Sequence, residues 1–173
     1  MRSRVALVLL AVLALLGSAR AGAERGPSTP KERAKALKLI RQLEEDPRFE
    51  GSVDARRWLS LWLVQVPDLN VDLCPALLGG TPAERKRLPG EVVGQLLYSG
   101  AAFLMEHKDG SREQVYLAGL TGALKVYEAL LKEKPHVRSP LLDSLIGRRD
   151  AGTLVAHVAE TLSSCPPPGL KTR

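Results

Sequence analysis

The sequence predicts an all-α protein: a compact, orthogonal and irregular bundle of about six to seven helices. In it a long central helix, 112–134, pairs with a second over 90–107. Three observations carry that expectation. Ser or Thr followed three residues later by Glu or Gln recurs along the chain, a pattern in which both side chains satisfy orphan N–H groups at a helix start. Prolines follow the ends of several of these segments, where a missing amide proton and a bulky ring stop a helix. Between those marks apolar residues return every three or four positions, the period of a helix with one buried side.

Residues 1–21 read as a signal peptide. Arg2 and Arg4 precede the apolar stretch VALVLLAVLALL, and small residues flank a cleavage point after Ala21 or Ala23. That stretch is well short of the ~20 residues that span a bilayer, so no transmembrane anchor is expected after processing. The expected location is secreted or periplasmic. The chain holds 25 Lys and Arg against 19 Asp and Glu; without Arg2, Arg4 and Arg20 the balance is 22 against 19, or +3. Such a modest charge argues against a nucleic-acid partner, and Glu84-Arg85-Lys86-Arg87 and Arg148-Arg149 read as solvated helix ends. Residues 22–28 read as a flexible linker, 29–165 as a single helical domain and 166–173 as a disordered tail.

The first helix of that domain opens at Thr29-Pro30-Lys31-Glu32, with Thr29 as cap, Pro30 at the first helical position and Glu32 closing the box. Asp46-Pro47 ends it. The second runs from Ser52 to Val66 and is apolar nearly all round, Trp58 and Trp62 lying one turn apart, which predicts a buried helix. Residues 69–80 alternate briefly, but Pro75 and the lack of a partner strand argue for a helical turn or an extended segment. Thr81-Pro82-Ala83-Glu84 repeats the first box over a short helix. Pro89-Gly90-Glu91 opens a longer one to about His107, with Val93, Leu97, Ala101 and Leu104 inward. The central helix follows, capped by Ser111 and Gln114, stopped by Pro135 and about 35 Å long. Its inward face runs through Val115, Ala118, Gly119, Gly122, Ala123, Val126 and Leu130. Ser139-Pro140 then opens a helix ending at Gly147, and Asp150 caps the last, with Leu154, Val155, Val158 and Leu162 as its apolar positions.

Candidate functional residues are few. Gly119 and Gly122 each cost roughly 1 kcal/mol of helix propensity, so close approach is their expected purpose. A tight helix crossing is the default reading, and a pocket floor is the functional one. Tyr98, Phe103, Tyr116 and Tyr127 are candidates for a binding surface, core packing being preferred for Phe103 and Tyr127. Cys74 and Cys165 form an even pair in an exported chain, which favours a disulfide closing a loop of about 90 residues.

No nucleophile elbow, phosphate-binding loop, dinucleotide fingerprint or His-Glu-x-x-His motif occurs. His157 and Glu160 share a helical face, which is half a metal site but reads as a surface pair. Glu91, Glu106 and Glu113 could serve as an acid–base pair only if the fold brought them together. No catalytic residue, metal or cofactor is expected. The reading is an exported, non-catalytic module that binds a protein, peptide or lipid; the alternative is an extracytoplasmic hydrolase or redox accessory using scattered Glu, His and Cys residues. Ala123, Tyr127 and Pro135 fall at the spacing of the second helix of a tetratricopeptide repeat, which the central helix resembles locally. The first-helix positions hold His107, Gly110, Ser111 and Gln114 in place of the repeat's Trp, Leu, Gly and Tyr, and no 34-residue recurrence follows, so the likeness assigns no family.

Overall fold

A computed structural model describes residues 25–165; the expected signal peptide and C-terminal tail lie outside them. Among the described residues there are seven α-helices and no strands: α1 (Pro30–Glu45), α2 (Ser52–Gln65), α3 (Pro82–Arg85), α4 (Gly90–Glu106), α5 (Arg112–Glu133), α6 (Pro140–Asp150) and α7 (Leu154–Leu162). Two 3-10 turns, Pro75–Leu78 and Pro135–Val137, precede α3 and α6. The first of them resolves the ambiguous 69–80 segment, which is extended and then turns.

All three capping boxes form. The Thr29, Thr81 and Ser111 hydroxyls accept from the amides of Glu32, Glu84 and Gln114, whose side chains accept from the cap amides in return. For Glu32 and Glu84 the amide and hydroxyl of the cap threonine lower the carboxyl pKa, since each hydrogen bond favours the charged form. The last two helices are bounded differently from expectation. Helix α6 continues through Gly147 to Asp150, and Gly152 ends it in the left-handed conformation, φ 72°, so Thr153 and not Asp150 precedes α7.

Helices α4 and α5 form the hairpin on which the rest is hung. Gly119 is where they meet: a methyl group built there would lie 2.4 Å from the carbonyl oxygen of Leu96. Two apolar clusters flank the hairpin. One joins α4 and α5 to α6, α7 and the Pro75–Leu78 turn, with Leu120, Leu124, Tyr127 and Leu142 fully buried. The other joins α1 and α2 to α4 through Ile40, Leu43, Leu59, Trp62, Tyr98 and Ala102. Burial on both sides explains why α4 departs from its expected face. Val92, Gln95, Leu96, Tyr98, Ser99, Gly100 and Ala102 are its buried residues alongside Ala101, whereas Val93, Leu97 and Leu104 are only half-buried.

Cys74 and Cys165 are bonded, their Cα atoms 5.4 Å apart, tying the end of α7 to the Pro75–Leu78 turn. Polar pairs reinforce the outer helices. Arg149 forks onto both carboxylate oxygens of Glu128 at 2.6 and 2.9 Å, which joins α6 to α5 and raises the arginine's pKa. Arg85 donates to the carbonyls of Gly79 and Gly80. Both arginines are therefore structural links and not merely solvated helix ends. Helix α2 also differs from expectation: Leu59 and Trp62 are buried, but Val53, Leu61 and Val64 point to solvent.

Candidate functional site

One turn along α5 from the Gly119 crossing, the two helices part just enough to admit side chains. At Gly122 an added methyl would collide with the Ser99 hydroxyl and approach Glu44 Oε1 to 2.9 Å. The missing side chain thus makes room for polar groups, and Gly122 lines a cleft of about 430 Å³ between α1, α4 and α5. Gly119 thus lies at the helix crossing and Gly122 borders the cleft.

The cleft ends on a buried polar row. The Gln95 amide donates to Ser99 Oγ at 3.0 Å and weakly to the Ile40 carbonyl at 3.4 Å. Ser99 Oγ donates in turn to Glu44 Oε1 at 2.6 Å. The Glu44 side chain is only 4% exposed. Its remaining partners come from the rim and are long for charge-assisted hydrogen bonds: Arg41 reaches both oxygens at 3.2 Å and Lys125 reaches Oε2 at 3.4 Å. Arg41 makes its shorter bond, 2.8 Å, to Glu106. Burial works against the Arg41 charge, but Glu106 and Glu44 outweigh it and raise its pKa. Phe103, Gln114 and Thr121 complete the walls.

The sequence-predicted residues are only partly gathered here. Gly122 and Phe103 line the cleft. Tyr98 and Tyr116 do not form a surface, being 5% and 4% exposed. The Tyr98 hydroxyl is held by Ser60 Oγ at 2.7 Å and the Arg56 carbonyl at 3.2 Å, and the Tyr116 hydroxyl accepts from Arg112 at 3.3 Å. Tyr127 is core: its hydroxyl donates to Asp143 and accepts from the Ser139 amide, both at 2.8 Å, which fixes the start of α6. Burial is the first cause of its raised pKa. Glu91 and Glu106 stand at opposite ends of α4, about 22 Å apart along the axis, and so do not make an acid–base pair. His157 contacts the Leu77 carbonyl at 3.0 Å, and among the described residues no three His, Cys, Asp or Glu side chains gather as metal ligands.

A larger cleft of about 680 Å³ lies between Leu88-Pro89 and residues 136–141. Its polar groups are exposed or already engaged, Glu84 in the cap of α3 and Arg138 with Asp143 at 3.2 Å. It therefore lacks the buried, directional group that distinguishes the Glu44 cleft.

Ser99 has a carboxylate acceptor, but it sits inside α4, where the surrounding amides donate within the helix and none is turned toward a developing oxyanion. No family model, curated protein or solved structure matches the chain.

Proposed function

We propose that the protein is an exported, non-catalytic helical module that binds a peptide or protein segment, with the Glu44 cleft receiving a primary ammonium group such as a lysine side chain. One observation carries this reading. A carboxylate almost wholly removed from water lies at the base of an open cleft, and its cationic partners among the described residues, Arg41 and Lys125, reach it only at 3.2 and 3.4 Å. A buried carboxylate is costly unless closely paired, and an ammonium at ~2.8 Å would stabilise Glu44 better than Lys125 does at 3.4 Å. Phe103 on the cleft wall supplies apolar contact for the methylenes of such a side chain. Export is supported by the signal-peptide pattern at residues 1–21 and by the Cys74–Cys165 bond, which belongs to an oxidising compartment. That bond pairs both cysteines, so neither is a free thiol.

The test is an NMR titration of the mature protein with short lysine-containing peptides, using norleucine peptides of equal length as controls. Saturable shifts at the Ser99 and Gly122 amides, seen only with lysine and lost in Glu44→Gln, are expected. Equal responses to lysine and norleucine, or in wild type and Glu44→Gln, would refute the reading.

A further inference from the structure

Three of the four large apolar side chains that the described residues leave exposed lie on one helix: Val53, Leu61 and Val64 of α2, at 66%, 57% and 77%. Beside Leu61, one turn back, is the half-buried Trp58, stacked on Trp62 at 5.5 Å. The Lys35 ammonium sits 4.0 Å above the Trp58 ring. That contact brings the exposed side of α1 against this face, and Lys31, Lys35 and Lys38 recur there at one-turn spacing. None of the three lysines has a carboxylate within 4 Å among the described residues.

We propose that this face of α1 and α2 rests on an anionic bilayer surface, with Trp58, Leu61 and Val64 entering the headgroup boundary and the lysine row lying against lipid phosphates. An apolar ridge bordered by unpaired lysines and an amphipathic aromatic is the pattern of a helix lying in a membrane interface. Charge complementarity points to this occupant, since Lys31, Lys35 and Lys38 have no carboxylate partner among the described residues and a planar array of phosphates would supply one to each. Area argues against a second copy of the chain. The three exposed apolar side chains offer on the order of 300 Å², below the roughly 450 Å² of apolar surface, a little over half of ~800 Å², that each partner brings to a stable protein interface. No helix among the described residues is long and apolar enough to cross a membrane.

The experiment is co-sedimentation of the mature protein with phosphatidylcholine vesicles, with and without phosphatidylglycerol, alongside tryptophan emission and size-exclusion light scattering. Anionic vesicles should bind the protein at least about tenfold more tightly than neutral ones and shift the emission to the blue. Two variants separate the contributions. Leu61→Ser/Val64→Ser should abolish the blue shift, and Lys31→Glu/Lys35→Glu/Lys38→Glu should remove the preference for anionic lipid. All five side chains are exposed, so both variants are expected to fold, the lysine variant losing only the surface contact of Lys35 with Trp58; if one misfolds, the other still decides. Absence of binding to anionic vesicles, binding indifferent to both variants, or a solution dimer dispersed by Leu61→Ser/Val64→Ser would overturn the proposal.

Discussion

Replacing Gly119 by alanine sets two known effects against each other. Alanine is the better helix former by about 1 kcal/mol, which favours the variant. Against it, the new methyl would lie 2.4 Å from the Leu96 carbonyl oxygen, whereas ordinary contact begins at 3.4 Å. The obstacle is backbone, bonded within α4, so no side-chain rotation relieves it and the helices must separate by about 1 Å. Overpacking of this kind costs typically 1–3 kcal/mol, and a rigid obstacle at the principal helix crossing places it near the top of that range. Net destabilisation of about 2 kcal/mol is expected, or roughly 6 °C in melting temperature for a chain of this size. Gly147 supplies the control, since it lies in α6 with nothing within 4 Å of an added methyl. Gly147→Ala should gain up to about 1 kcal/mol. Circular dichroism melts and urea titrations of both variants measure the contrast. A Gly119→Ala protein as stable as wild type would refute the crossing.

Two further perturbations follow from tethers in the fold. The Cys74–Cys165 bond spans 91 residues, so the Cys74→Ser/Cys165→Ser variant should lose about 4–5 kcal/mol in the chain-entropy treatment, read as a lower urea midpoint that reducing agent leaves unchanged. Asp68 is held at a pKa of about 2: burial raises it, but the Ser28 hydroxyl and amide and the Arg33 guanidinium outweigh burial. Because the folded value is depressed, the resulting stability is present above the unfolded pKa near 4 and is lost as the pH falls toward 2. The site is partly open, and after screening it is worth about 1 kcal/mol. Asp68→Asn should therefore be less stable than wild type at pH 6 and should show a correspondingly smaller loss between pH 5 and pH 2 in urea titrations.

The parts of the fold legible in the sequence are those decided within a few residues. The boxes at Thr29, Thr81 and Ser111 depend on a side chain and an amide three positions apart, so residue type alone specifies them. The α4–α5 hairpin was equally readable from two long periodic segments joined by the short connection 107–111. The orientation of α4 was not, because a helix packed on two sides has no single apolar stripe to read. Nor was the exposure of Leu61 and Val64, since an all-apolar pattern does not tell which side meets a neighbour. The site was missed for the same reason: Glu44 and Ser99 are 55 residues apart and meet only after α1 docks. A signal for it was nevertheless present. Gln95 and Ser99 lie one turn apart in a strongly apolar helix, and polar residues so placed require a partner across the packing.

Helix α4 contributes Val92 and Leu96 to one core and Tyr98 and Ala102 to the other. Neither half of the molecule can then melt while the other stays intact, for whichever loosens first strips a shared wall from its neighbour. The expected behaviour is a single cooperative transition. The same coupling means that an event at the Glu44 cleft, on the seam between α1, α4 and α5, is felt by the whole molecule as added or lost stability.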